Sequence, residues 1–138
     1  MNNERLFNRI KVHEGFRNKV YKCTEGFDTI GFGFAIKDLE LDEDIAEQIF
    51  MDKLDKLTHK IQDKFPWVEM APDTVGEVLV EMAYQMGVSG VSKFKRTLKY
   101  MEHHNWTRAA EEMLDSKWHR QTPNRAKELS NIIRNLDD

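Results

Sequence analysis

Apolar residues recur at the spacing of an α-helix in several stretches of the chain. Residues 4–12 carry one apolar stripe, and residues 41–64 carry a longer one before Pro66 ends the pattern. Residues at spacings of three, four and seven lie on one face of a helix. The longer stripe consists of Ile45, Ile49, Leu54, Leu57 and Ile61. We therefore predict a short first helix and a long second one.

The second half of the chain is patterned as further helices. Asp73 or Thr74 can cap a helix that is apolar on more than one side, which is typical of a buried helix, and Gly87 and Gly90 are predicted to break it. Three shorter helices are predicted over residues 94–103, 107–114 and 123–136, the last with Thr122 as its cap. Trp106 and Trp118 stand in apolar helical contexts and are predicted to be core residues.

Between the first two helices the pattern changes. Residues 21–36 combine closely spaced Gly with Phe, Thr and Ile, which favours a small sheet with tight turns. Glu14 stands before Gly15 at the exit of the first helix, and Cys23 and Thr29 follow on the ribbon. A carboxyl, a thiol and a hydroxyl on one hairpin can face a common cleft. By residue type alone each also has an ordinary structural interpretation. A Glu is typical of a solvated surface, a Cys of a small buried apolar position, and a Thr of a β-strand.

Length and charge narrow the class of protein. The 138 residues suit one domain, and one cysteine excludes an internal disulfide. No apolar run reaches membrane-spanning length, and the start of the chain does not resemble a secretory signal. We therefore expect accumulation in a cytoplasm and no membrane anchor.

The net charge is −3, and residues 37–90 hold 13 acidic and 5 basic residues. No basic helix face is interleaved with aromatics, which argues against nucleic acid. The histidines lack metal-ligand spacing, so no metal is expected.

Several segments in order resemble one protein family. Eight residues separate Glu14 from Cys23, and five separate Cys23 from Thr29. Matching segments follow far downstream, namely Gln85-Met86-Gly87, Ser116-Lys117-Trp118 and Gln121-Thr122-Pro123-Asn124-Arg125-Ala126-Lys127. Together these segments resemble the phage-type lysozymes of glycoside hydrolase family 24. The resemblance covers nearly the whole chain.

The resemblance implies a fold. It is an α+β fold, predominantly helical and two-lobed, with a small N-terminal sheet, a long connecting helix and a helical C-terminal lobe. Residues 1–138 would form a single lysozyme domain. Within it, residues 13–60 would be the N-terminal lobe, and residues 1–12 with 61–138 the C-terminal lobe.

The resemblance also implies a site. Its catalytic residues would be Glu14 as the acid, Cys23, and Thr29 holding the attacking water, with Arg125 as the charge partner that orients Glu14. Cys23 stands where better-known members carry Asp, so it is left open as a nucleophile, a base or orienter for water, or a spacer. The matching substrate-binding positions are Ala35, Tyr84, Gln85, Thr97 and Glu112.

The implied activity is hydrolysis of the β-1,4 bond between N-acetylmuramic acid and N-acetylglucosamine in bacterial peptidoglycan, with no cofactor. A monomeric endolysin is expected, held in the host cytoplasm until a holin releases it to the wall in the periplasm. Two alternatives remain open. One is a catalytically silent lysozyme fold that binds murein or a protein, and the other is a lysozyme switched off when Cys23 is oxidised.

Overall fold

The computed structural model describes residues 3–136, which form a predominantly helical α+β fold, as predicted. One small sheet has the strands β1 (Arg17–Lys22), β2 (Asp28–Gly31) and β3 (Phe34–Ala35). The α-helices of the described residues are α1 (Asn3–Glu14), α2 (Glu43–Lys64), α3 (Asp73–Ser92), α4 (Lys95–Glu102), α5 (Trp106–Leu114), α6 (Lys117–Gln121) and α7 (Pro123–Arg134). Short 3-10 helices span Ile36–Asp38 and Pro66–Met70.

The chain divides into two compact units, with the boundary between Ala46 and Glu47, inside α2. We call the segment before this boundary the sheet unit and the segment after it the helical unit. It stays a prediction that residues 1–138 form a single lysozyme domain and that residues 1–12 belong to its C-terminal lobe.

The sheet unit is an antiparallel three-stranded sheet in the order β1-β2-β3, preceded by α1. Its first strand begins at Arg17, four residues earlier than predicted, because Arg17 pairs with Gly31 across an irregularity in the ladder. Its contacts include aromatic side chains, with the rings of Phe16 and Phe32 5.3 Å apart and Lys11 Nζ 5.0 Å from the ring of Phe7.

The helical unit holds the hydrophobic core. Its α4, α5, α6 and α7 pack on one another and α3 packs against α7 and α4. The indoles of Trp106 and Trp118 are buried in this core, as predicted. Its fully buried side chains include Ile61, Leu79, Met82, Met101, Met113 and Ile133.

The ends of the helices correct several predictions. Neither Asp73 nor Thr74 caps α3, because Pro72 occupies the N-cap position and its pre-set φ starts the helix without a side-chain cap. Only Gly87, with φ 80° and ψ 160°, interrupts α3; Gly90 does not break it. Thr122 stands at the N-cap of α7 without capping it, since its hydroxyl donates instead to the carbonyl of Trp118. The helix α6 was not predicted. The helix α7 ends at Arg134, whereas the predicted helix continued to residue 136.

Candidate active site

Glu14 is the last residue of α1 and leaves the helix as predicted, with its side chain exposed. Gly15 follows with φ 69°, a left-handed conformation that ends the helix and that glycine adopts without strain. The Glu14 carboxylate lies directly against the backbone of Gly33, where an added methyl group would overlap it. The absence of a side chain at Gly33 therefore makes room for the acid beside the sheet.

Cys23 opens the turn that joins β1 to β2. Its backbone N–H donates to the carbonyl of Phe27 at 2.9 Å, and its carbonyl accepts from the N–H of Gly26 at 2.8 Å. Lys22 and Asp28 form a 2.8 Å ion pair at the base of the turn. The turn is thus closed on both sides of Cys23, which fixes the direction in which the thiol leaves the backbone.

Groups of the β1–β2 turn and of β2 alter the pKa of the Cys23 thiol. Hydrogen bonds from the backbone of Phe27, then from that of Glu25, and a weaker one from the side chain of Thr29 lower the pKa of the thiol. Partial burial and the Glu25 carboxylate act in the opposite direction. A lower pKa increases the thiolate fraction at neutral pH, and the thiolate is the form that accepts a proton or attacks carbon.

Thr29 lies in the central strand and is only 3% exposed. Its hydroxyl donates to the carbonyl of Phe27 at 2.9 Å. Because a hydroxyl has one proton, it serves this carbonyl while Cys23 is a thiol and can turn to the sulfur when Cys23 is a thiolate. Ala35, a predicted substrate position, is the direct partner of Thr29 across the β2–β3 ladder. Cys23, Thr29 and Ala35 are therefore brought together within the sheet unit.

In the helical unit, Gln85 is held by two hydrogen bonds. Its Oε1 accepts from the Trp118 indole at 2.8 Å, and its Nε2 donates to the Thr122 hydroxyl at 3.2 Å. These contacts tie α3 to α6 and to Thr122, the residue between α6 and α7. Gln85 is predicted to bind substrate, and these bonds fix its amide while leaving one N–H and a lone pair free.

Gln85 shares a groove of about 780 Å³ with two other predicted substrate residues, Thr97 and Glu112. We call it the charged groove. The rings of Phe94 and Trp118 meet edge to face on its lining, with centroids 5.9 Å apart. Its remaining lining residues are Met86, Gly90, Lys93, Lys95, Arg96, Asp115, Ser116, Lys117 and Gln121.

Tyr84 and Arg125 line a different groove, of about 870 Å³, on the helical unit. Phe50 packs edge to face on the ring of Tyr84 at 5.4 Å, and Lys53 Nζ lies 4.6 Å from that ring. Arg125 Nε donates to Glu81 Oε2 at 2.9 Å. Arg125 therefore has a carboxylate partner within its own unit, and its predicted role toward Glu14 stays a prediction.

Glu81 and Arg96 were not among the predicted site residues. Glu81 lies three and four residues before Tyr84 and Gln85, so helical spacing alone places it on their side of α3. Arg96 precedes Thr97 and its Nη1 lies 3.9 Å from Glu112 Oε1. Both are charged neighbours of predicted residues, and that adjacency was the available signal.

Residues 3–136 contain neither a metal-binding cluster nor a membrane-spanning helix. No group of three or more His, Cys, Asp or Glu side chains is placed to hold a metal ion. None of the described helices is both long enough and apolar enough to cross a membrane.

Comparison with known proteins identifies similar chains. The family model "Phage lysozyme" matches residues 11–135. The chain is 31% identical over 153 aligned positions to probable T4-type lysozyme 1 of Dictyostelium discoideum, covering 90% of each. It is 28% identical over 157 positions to probable T4-type lysozyme 2 of that organism, covering 93% of this chain and 92% of the relative. It is also 31% identical over 152 positions to the pre-baseplate central spike protein Gp5 of Enterobacteria phage T4, covering 90% of this chain but 26% of Gp5.

Proposed function

Because the chain belongs to the phage lysozyme family, we propose that it hydrolyses the β-1,4 bond between N-acetylmuramic acid and N-acetylglucosamine in peptidoglycan. The observation that carries the proposal is the arrangement around Cys23. Cys23, whose thiol pKa is lowered, opens the β1–β2 turn, and the Thr29 hydroxyl lies in the strand that follows and bonds to the same turn at Phe27. The carboxyl of Glu14 lies on another part of the same small sheet, against Gly33.

Glu14 is the general acid of this proposal. Cleavage of a glycosidic bond needs a proton on the leaving oxygen, and a carboxyl group held at a fixed place supplies it. The bond from the anomeric carbon to that oxygen breaks as the proton arrives, and the sugar ring becomes positively charged. The contact with Gly33 keeps the carboxyl close to the sheet.

Cys23 and Thr29 act on the attacking water. The Thr29 oxygen accepts a hydrogen bond from the water, and the Cys23 thiolate takes the proton that the water loses as its oxygen bonds to the anomeric carbon. The products are two shorter glycans, a thiol at Cys23 and a carboxylate at Glu14. Transfer of one proton through solvent restores the starting enzyme.

The remaining assignments follow the family resemblance. Arg125 orients Glu14, and the substrate is bound by Ala35, Tyr84, Gln85, Thr97 and Glu112. Support for the substrate positions comes from their placement. Gln85, Thr97 and Glu112 line one groove, Tyr84 lines another, and Ala35 is the ladder partner of Thr29.

The decisive experiment measures turnover of purified peptidoglycan by the wild type and by Glu14→Gln. We expect the substitution to lower turnover by about 100- to 10,000-fold, because Gln cannot donate a proton. Glu4→Gln, which changes an exposed acid of the same helix, should leave turnover unchanged. Equal turnover by wild type and Glu14→Gln would refute the assignment, and an inactive wild type that still binds murein would establish the silent fold instead.

The role of Cys23 is tested separately. Cys23→Ala should lose most of the turnover, and Cys23→Asp should recover part of it, because a carboxylate also accepts a proton from water. Thr29→Ser should retain the water contact that Thr29→Val removes. Full activity of Cys23→Ala would show that Cys23 is a spacer and leave Glu14 and water as the working groups.

The lowered pKa of Cys23 also favours regulation by oxidation as a second candidate. A thiolate is the form that oxidants cap, so oxidation would remove the proposed base. Activity that falls on mild oxidation and returns with a dithiol would support this role. The same treatment of Cys23→Asp, which has no thiol, should have no effect.

We propose a lytic role in a bacterial host on the family resemblance alone. The enzyme would act as a monomer, stay in the host cytoplasm until a holin opens the membrane, and then reach the wall in the periplasm. Expression in bacteria with and without a co-expressed holin tests this, since lysis should require both proteins. Lysis without a holin would contradict the proposed route of release.

A further inference from the structure

The backbone of Phe27 joins the two residues that are proposed to act on the attacking water. Its carbonyl accepts hydrogen bonds from the Cys23 N–H and from the Thr29 hydroxyl, each at 2.9 Å. A hydrogen bond from the same backbone has the largest effect in lowering the pKa of the Cys23 thiol. Because Phe27 contacts both residues, any displacement of Phe27 changes the positions of both.

The turn itself restrains Phe27 only in part. Gly26, the residue before it, has φ 85°, and none of the described residues beyond its neighbours lies within 4 Å of the place where its Cβ would be. Glycine adopts more backbone conformations than any other residue, so the chain can pivot at this point. The Phe27 side chain is 41% exposed, and burial therefore fixes it incompletely. The position of Phe27 depends on a further contact.

Lys37 supplies this contact from another element of the sheet unit. It lies in the 3-10 helix Ile36–Asp38, which packs beside β2. Its Nζ lies 4.2 Å from the centre of the Phe27 ring. An ammonium group at this distance is attracted by the electrons of the ring face. The turn is thus held at its base by the ion pair of Lys22 with Asp28 and at Phe27 by the ammonium of Lys37.

We propose that Lys37 is a positioning residue for the reaction, which holds Cys23 and Thr29 in place through the ring of Phe27. Lys37 acts on the turn and makes no contact with the reacting atoms. The effect on turnover rests on the proposed hydrolysis of peptidoglycan. The effect on the Cys23 thiol does not, because the thiol can be examined without any substrate.

The first test measures how the rate of Cys23 alkylation by iodoacetamide depends on pH in the full chain. Lys37→Met removes the ammonium and keeps a long unbranched side chain. A looser turn weakens the hydrogen bond from Phe27 to the sulfur, so less of the thiol is ionised. We expect the thiolate fraction at pH 7, read from the pH midpoint of alkylation, to fall about two- to fivefold, the range that an exposed cation–π contact corresponds to.

Two variants control this measurement. Lys37→Arg should keep the midpoint of the wild type, because a guanidinium also lies favourably over an aromatic ring. Lys19→Met makes the same change as Lys37→Met at an exposed lysine of β1 and should have no effect. A wild-type midpoint in Lys37→Met would overturn the proposal, as would an equal shift in Lys19→Met.

A double substitution decides whether Lys37 acts through the ring. Phe27→Leu keeps the backbone and an apolar side chain but removes the ring face, so it should shift the midpoint as Lys37→Met does. Adding Lys37→Met to Phe27→Leu should then have no further effect, because the contact is already lost. A shift of the same size with and without the ring would show that the Lys37 charge acts directly on the sulfur, which would overturn the proposal.

Turnover of peptidoglycan separates positioning from substrate binding. Lys37→Met should lower kcat about two- to fivefold and leave KM near that of the wild type. A raised KM with an unchanged kcat would make Lys37 a substrate contact and contradict the positioning role. An inactive wild type in which Lys37→Met still shifts the alkylation midpoint would refute the proposed hydrolysis and leave the contact of Lys37 with the turn standing.

Discussion

The two units differ in where they keep their apolar side chains. In the helical unit large apolar residues such as Leu79, Met82 and Met101 have no contact with solvent. In the sheet unit apolar side chains such as Val12 and Phe16 are mostly exposed, at 81% and 64%. Burial of apolar area is the main favourable term in folding, so the helical unit supplies most of the stability.

The candidate catalytic residues lie in the unit that has the smaller share of buried apolar side chains. Glu14, Cys23 and Thr29 belong to the sheet unit, which is held by a short ladder, a closed turn and aromatic contacts. A small sheet places polar groups at fixed positions without a large core around them. We infer that substitutions in the sheet unit change activity more than stability, and that substitutions in the core of the helical unit do the reverse.

The largest effect on stability is expected from Met82→Ala. Met82 is fully buried in α3, and shortening a buried Met to Ala costs about 2–5 kcal/mol through lost burial and a residual cavity. Met51→Ala makes the same chemical change at a side chain that is 64% exposed and should cost little. Urea unfolding of both variants checks this. Similar losses would show that the core is not where the stability lies.

The next prediction compares two glycines with left-handed backbones, Gly33 in the sheet unit and Gly87 in α3, with φ of 76° and 80°. Alanine at either position should cost about 1–3 kcal/mol, because a side chain is strained at a positive φ. Only at Gly33 does the added methyl group meet the Glu14 carboxylate.

Gly33→Ala should therefore also lower kcat, by about 100-fold if the carboxyl moves by 1 Å. Gly87→Ala should leave kcat near that of the wild type. The measurement is turnover at a temperature where both variants remain folded by circular dichroism. Equal kcat values for the two variants would contradict a need for the contact between Glu14 and Gly33.

These glycines also show what sequence could and could not predict. Gly87 interrupts an apolar helical pattern, and the break was foreseen. Gly90 interrupts the apolar pattern in the same way, but α3 continues through it. Only the backbone conformation distinguishes the two glycines. The helix α6 is five residues long and mostly polar, so it has no apolar stripe to reveal it.

The candidate site likewise has one feature that the sequence predicts and one that it does not. The short spacing between Cys23 and Thr29 predicts that both belong to one hairpin, and Thr29 lies in the strand that follows the turn of Cys23, whereas Glu14 ends α1. The partner of Arg125 was not predictable, since Glu81 lies 44 positions away and pairing across that distance depends on how α3 and α7 pack. Charge pairs between distant helices leave no periodic signal in a single sequence.

A smaller effect is expected on the reactivity of Cys23. Because the pKa of its thiol is lowered, alkylation by iodoacetamide should reach half its maximal rate at a lower pH than for an ordinary cysteine, and slow as pH falls through that value. Thr29→Val removes a favourable hydrogen bond and should raise this midpoint. Glu25→Gln removes a repelling carboxylate and should lower it.

Each substitution should change the alkylation rate at pH 7 by about two- to threefold, in opposite directions. Glu40→Gln, an exposed acid beyond the sheet, is the control and should leave the rate unchanged. Changes of the same sign in both variants would contradict the surroundings described for the sulfur.

The smallest effect is expected from exposed ion pairs, and it should be equal in the two units. Lys22 with Asp28 in the sheet unit and Lys56 with Asp52 in the helical unit are both 2.8 Å pairs with more than half of each side chain exposed. Water and salt screen such pairs, so Asp28→Asn and Asp52→Asn should each lower Tm by no more than about 2 °C. A clearly larger loss at Asp28 would mean that the sheet unit depends on its surface charges as the helical unit depends on its core.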